Sequence, residues 1–321
     1  MSYKKKFELE GVIPATLISF NEDFSIDEIE SRKHISFCAN TKGISAITVN
    51  GHSSEIHACN IEEQKRILNF SLDEVGDNVP IVNGIYSDGS IEAAKIAKLS
   101  DQLGASALLC FPPQSMTMGG HLRPEMALEH FKRIADVTDL PLICFNYPAA
   151  GNLSYPFDTL LKLFDEVPSV KAIKDWCNDP MLHEKHIRVF QNLTRPVNVL
   201  TTHSSWLMSS LVMGAKGLLS GAGSVIADLQ VELFNAIKSN DLSNAKKIND
   251  SIFPLVQLFY KQPFLDMHNR MKETLVLLNR MNKAVVRPPL MKLPIEEIES
   301  LKAVIKQINL SENYKDINAA E

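Results

Sequence analysis

A basic excess is missing: 33 lysines and arginines stand against 38 aspartates and glutamates in 321 residues, a formal net charge of −5. Such a balance offers no field for nucleic acid or for an anionic membrane surface, so a small solute is the expected partner. Long apolar runs are missing too. The least charged stretch, 197–229, holds only Lys216 and Asp228, but Gly, Ser and His interrupt it, and it reads as core rather than as a membrane span. The five cysteines are odd in number and widely spaced, without a C-x-x-C pair. Neither a disulfide framework nor a zinc knuckle is expected, and the thiols should be reduced. Lys4, Lys5 and Lys6 are not followed by an apolar stretch, which argues against a secretory signal and for a cytoplasmic protein. Gly119-Gly120 and Gly221-Ala222-Gly223 are too short to cradle a phosphate, and there is no Walker or dinucleotide fingerprint. No cofactor is expected.

What is present is an ordinary globular composition, 45% apolar and 22% charged, arranged as an alternation. Short apolar or β-branched runs occur at 11–20, 44–51, 80–85, 107–111, 141–147, 170–175, 197–203 and 217–221. Segments such as 26–39, 62–75, 91–103 and 124–137 lie between them, with apolar residues three and four apart. Strand and helix in turn imply a parallel sheet, and runs apolar on both faces imply strands covered on both sides. Eight repeats favour an α/β fold of the (β/α)8 TIM barrel type. Three helical stretches follow at 242–260, 263–281 and 294–308, so the fold class is a barrel with a C-terminal helical extension. The expected division is a barrel over 1–225, then 226–321 as helices that complete it and an appended helical region.

In such a barrel the chemistry sits at the C-terminal ends of the strands. In Val170-Lys171-Ala172-Ile173-Lys174, period-two alternation puts Lys174 on the face of Val170 and Ala172, with Lys171 on the other. An amine facing a barrel interior is desolvated, which favours its neutral, nucleophilic form and opens imine chemistry with a ketone. A lysine reaching the rim to pair with Asp175 or Glu55 explains the same position. Gly51-His52-Ser53-Ser54-Glu55 offers hydroxyl and amide donors for a small carboxylate, and a plain loop explains it equally. His52 is a candidate general acid or base, or a hydrogen-bonded core histidine. His52, Glu55, Asp175 and His203 all fall at rim positions, which keeps a metal-dependent enzyme open as an alternative. His183-Glu184-Lys185-His186 lacks the H-E-x-x-H spacing and reads as an exposed helix face. No metal site is assigned.

Three signals in order give these residues a family resemblance. Gly51-His52-Ser53-Ser54-Glu55 is similar to G-T-T-G-E after the second strand, Phe145-Asn146-Tyr147-Pro148 to Y-N-x-P after the fifth, and Ile173-Lys174-Asp175 to I-K-[DE] in the sixth. Together they resemble the dihydrodipicolinate synthase and N-acetylneuraminate lyase family of Schiff-base aldolases, over about 11–310. The resemblance implies an imine between Lys174 and the C2 carbonyl of pyruvate or a longer 2-oxo acid. It implies that Ser53 and neighbouring amides, with Gly51 and Ser54, hold the carboxylate, and that Phe145, Leu219 and Ser220 line the site. It also implies a homo-oligomer, a tetramer or else a dimer.

The departures bear on the substrate. The family's relay tyrosine is Phe145, the first threonine of its relay is His52, its tyrosine pair after the fourth strand is Phe111-Pro112-Pro113-Gln114, and its carboxylate-binding arginine falls at about Ala150. The expected function is therefore a lyase on a 2-oxo acid, a pyruvate-releasing aldolase or a dehydratase, with His52 or Tyr147 replacing the relay hydroxyl. Two other readings remain: authentic 4-hydroxy-tetrahydrodipicolinate synthesis, and a catalytically silent barrel that senses a 2-oxo acid. Arg287-Pro288-Pro289-Leu290 resembles a recurrent segment of uncharacterised family members, and its two prolines explain it as a rigid turn without a catalytic role.

Overall fold

The computed structural model describes residues 3–310; the end of the expected C-terminal region, 311–321, lies outside the described residues. The apolar runs form eight parallel strands: β1 Gly11–Pro14, β2 Ile47–Val49, β3 Ile81–Ile85, β4 Ala107–Cys110, β5 Leu142–Asn146, β6 Val170–Asp175, β7 Asn198–Thr201 and β8 Gly217–Ser220. They pair in the order β1-β8-β7-β6-β5-β4-β3-β2. The two end strands approach through bridges between Val12 and Ile44 and between Ala15 and Thr48, which brings the barrel close to full closure. Every residue of β3, β4 and β5 is buried, as expected where helices cover a packed barrel interior.

Alternating with the strands are α1 Glu28–Ala39, α2 Ile61–Val75, α3 Ser90–Leu103, α4 Pro124–Ala135, α5 Phe157–Glu166, α6 Pro180–Phe190, α7 Leu207–Val212 and α8 Gly223–Lys238. Their starts are written locally. Asn60 and Glu63 form a reciprocal capping box on α2, and Asp179 caps α6 with Pro180 in its first position. Beyond the barrel come α9 Leu242–Phe259, α10 Met267–Leu277 and α11 Ile295–Gln307. Among the described residues no helix is long and apolar enough to cross a membrane.

Several expected boundaries move, each for a physical reason. The first run yields a strand only to Pro14, because the amides of Leu17 and Ser19 bond to side chains of α1, His34 and Ser31, instead of to a neighbouring strand. The second ends at Val49, since Asn50 turns into the left-handed region at φ 51°. The helix α8 was not expected as such, and the division at 225 falls inside it. Val225, Ile226, Leu229, Val231 and Leu233 are all buried, so no apolar stripe marks it in the sequence. The stretch 263–281 breaks into a 3-10 turn, Phe264–Asp266, and the buried α10, which lies against the barrel mouth.

Candidate active site

Parallel registry sets Lys174 beside Phe145 at the exits of β6 and β5. A bulge at the start of β6 leaves Lys171 exposed while Lys174 is 4% exposed. Its Nζ lies 4.0 Å from the centre of the Phe145 ring, and it has no ion pair or hydrogen bond among the described residues. Burial without a counter-charge brings its pKa down to about 7, so a large share of the amine is unprotonated at neutral pH.

Both rim carboxylates that could have paired with it are engaged elsewhere. Glu55 takes an ion pair from the fully buried Lys272 and a hydrogen bond from the Arg287 amide, 3.0 Å away. Asp175 accepts from Asn146 Nδ2 and the Cys177 amide, each at 3.2 Å, and from Nδ1 of both His183 and His186 at 2.7 Å. Burial pushes the Asp175 carboxyl upward, but the two histidines outweigh it and hold it well below the usual range. This corrects the reading of His183 and His186 as an exposed face. The Asp179 cap phases α6 so that these two, with Ile187 and Phe190, point inward, while Glu184 and Arg188 pair outside.

Asp175, Cys177, His183, His186 and His203 form a buried polar cluster with a metal-like donor set, each ligand-type triplet lying within 4.8 Å. Its ring nitrogens are largely taken. His183 Nε2 accepts from Ser210 Oγ at 2.6 Å, His203 Nε2 accepts from the Asn178 amide at 3.0 Å, and His203 Nδ1 faces Thr201 Oγ1. Burial brings His203 down to about 3, which keeps it neutral. Hydrogen bonds thus account for the arrangement, and it braces the strand end beside Lys174. The rim set His52, Glu55, Asp175 and His203 does not converge, because Glu55 turns to Lys272 and Asp175 to α6.

Lys174 opens into a small cavity of about 30 Å³ whose walls include His52, Ser53, Phe145, Trp176, Thr202 and Gly221. Ser53 Oγ donates to the Ala15 carbonyl at 2.9 Å, while its amide has no acceptor among the described residues. Ser54 lies behind it, donating to the Thr16 carbonyl at 2.7 Å, and Gly51 forms the turn that leads in. Leu219 and Ser220 sit outside the cavity: Leu219 is core, Ser220 pairs with Ser204 at 2.7 Å, and the wall is Gly221. Tyr147 is also outside, its ring 4.3 Å from that of Phe145, in an adjoining space. His52 is half-buried on the wall, held well below its ordinary value by burial and by neighbouring His268 and His57.

Tyr260 supplies a hydroxyl that the sequence reading missed. It stands at the end of α9, lines the cavity, and accepts the Ala222 amide at 3.1 Å. Desolvation pushes it up, so it stays protonated at neutral pH. Phe264, Met267 and Met271 reach the cavity from the same C-terminal region. No local motif marks them; only the packing of α9 and α10 on the mouth brings them in.

The architecture is a parallel eight-stranded barrel with a buried lysine at its mouth, and its relatives place it among enzymes of the aldolase and lyase class. The chain belongs to the dihydrodipicolinate synthetase family, whose model matches residues 8–308. It is 26% identical to 4-hydroxy-tetrahydrodipicolinate synthase of Methanopyrus kandleri, covering 95% of this chain and 98% of that one. Among solved structures, YagE from Escherichia coli K12, a prophage protein crystallised with pyruvate, superposes with a TM-score of 0.86 at 22% identity, covering 94% and 99% of the two chains. The Ruminococcus gnavus sialic acid aldolase gives 0.84 at 18% identity, covering 95% and 98%. At these identities the structural likeness speaks for the fold.

Proposed function

We propose that this chain is a lyase that binds a 2-oxo acid as an imine on Lys174. The observation that carries this reading is a buried, unpaired amine opening into a cavity. The neutral Nζ adds to the C2 carbonyl, and loss of water leaves a protonated imine. That imine is an electron sink. In a 4-hydroxy-2-oxo acid, the C4 hydroxyl proton departs, the C3–C4 pair flows into the imine as an enamine, and an aldehyde leaves. A proton then returns to C3, and water releases pyruvate and the free amine. Dehydration runs through the same imine with water leaving instead of the aldehyde.

The Ser53 amide, which has no acceptor of its own among the described residues, holds the substrate carboxylate, with Gly51 and Ser54 setting the turn. Phe145 carries no proton, and Tyr147 lies beyond it. Tyr260 therefore supplies the hydroxyl at the imine, and His52, kept neutral, accepts the proton from the C4 hydroxyl. The relatives' names favour a second reading, 4-hydroxy-tetrahydrodipicolinate synthesis. Against it, Ala150 stands where a carboxylate-binding arginine is expected, and among the described residues Lys174 is the one lysine or arginine lining the cavity. A homo-oligomer, tetramer or dimer, is the assembly we infer.

The test follows pyruvate by its enzyme-coupled reduction, with 4-hydroxy-2-oxo acids as substrates, beside consumption of pyruvate with aspartate semialdehyde. The wild type should release pyruvate and leave the semialdehyde unused, and Lys174→Ala should lose turnover by roughly 10⁴-fold or more. Turnover that survives in Lys174→Ala would refute the imine.

A further inference from the structure

The Lys174 cavity adjoins a second space of about 250 Å³, and His52, Trp176, Phe264 and Met267 form walls of both. Beyond that shared wall the second space is bounded by Tyr147, Pro148, Leu153 and Leu265. Among the described residues no lysine, arginine, aspartate or glutamate lines it. Its walls carry a row of tilted aromatic rings: the Trp176 ring centre is 5.1 Å from Phe264 and 5.5 Å from Tyr147, and Tyr147 continues the row to Phe145. His52, the one imidazole lining it among the described residues, is neutral.

These walls select by what they cannot hydrogen-bond. A carboxylate or phosphate entering here would lose hydration and meet no cation, which disfavours it strongly. A polyhydroxylated chain would leave most of its hydroxyls without partners. An aromatic ring loses little hydration and gains face and edge contacts with Trp176, Phe264 and Tyr147. The size also fits, because an apolar cavity of roughly 150 Å³ already holds a benzene ring and this space is about 250 Å³.

We propose that this second space is the subsite for an uncharged aryl group on C4 of the substrate, so that the enzyme cleaves 4-aryl-4-hydroxy-2-oxobutanoates to pyruvate and an aromatic aldehyde. The proposal rests on the Lys174 imine and adds the identity of the leaving fragment. The bookkeeping needs no oxidant: the C3–C4 bond breaks, its electron pair goes to the enamine, the C4 hydroxyl becomes the aldehyde carbonyl, and water hydrolyses the imine. Leu265, exposed at the rim of the subsite, marks where a cation would convert the preference.

The test compares kcat/KM for 4-hydroxy-2-oxo-4-phenylbutanoate and for 4-hydroxy-2-oxoglutarate, in the wild type and in Leu265→Arg, with borohydride trapping of pyruvate on both proteins. The wild type should favour the phenyl substrate by roughly ten-fold or more, and the variant should narrow or reverse that ratio. Equal or better use of the carboxylated substrate by the wild type, or an unchanged ratio in the variant, overturns the subsite. Pyruvate trapping separates the two claims. If trapping succeeds while the phenyl preference fails, the subsite alone falls; if trapping fails, the imine reading falls with it.

Discussion

Lys174 and Lys272 are both buried, and both hold Nζ near a phenylalanine ring, at 4.0 Å from Phe145 and 4.4 Å from Phe20. They differ in what else surrounds the amine. Lys272, on α10, meets the Glu55 carboxylate and the Val285 carbonyl, so the charge removed from water is compensated. Lys174 meets the Phe145 ring and a cavity whose walls, among the described residues, give it no carboxylate. Burial lowers both, but Glu55 pulls Lys272 back toward its charged form, whereas nothing opposes the fall at Lys174. One lysine therefore fastens the β2 loop to the C-terminal helices, and the other keeps an unpaired amine, the nucleophile of the proposed function. Arg287 fastens the same loop through Glu63 and the Ala58 carbonyl, which gives the proline-rich turn its structural purpose.

The contrast breaks most visibly at the paired lysine. Lys272→Met strands the Glu55 carboxylate in the interior and should cost about 3–5 kcal/mol of stability in denaturant titration. Lys272→Met with Glu55→Leu should recover much of that loss, since both charges are then gone. A Lys272→Met protein as stable as the wild type would show that Glu55 finds another partner and that the pairing does not distinguish the two lysines.

The contrast sharpens at the groups that serve Lys174. Tyr260→Phe should lower turnover by about 10²–10⁴-fold while pyruvate trapping on Lys174 persists, because the imine forms without the proton carrier's full contribution. Full turnover in Tyr260→Phe would return that task to His52 or Tyr147.

How much of this was readable before folding depends on the range of each interaction. The eight strands, and the inward direction of Lys174 in Val170–Asp175, follow from local alternation. The β2 loop is marked by its own residues. By contrast, His183 and His186 look like a charged, exposed face beside Glu184 and Lys185, and only the Asp175 carboxylate across the packing interface explains their burial. Tyr260 and Phe264 reach the mouth because α9 and α10 fold back over it, which no spacing near Lys174 could report. The helix α8 hid for the opposite reason: burial on most of its surface removed the periodicity that would have announced it.

The central claim, that the unpaired lysine is the nucleophile, is tested most directly by peptide mapping after pyruvate and borohydride, repeated across pH. A reduced-pyruvate adduct is expected on the peptide containing Lys174 and none on that containing Lys272. Because only the neutral amine attacks, trapping should rise with pH through about 7 and then level off. An adduct on Lys272, or trapping at Lys174 that still climbs steeply through pH 9, would contradict it.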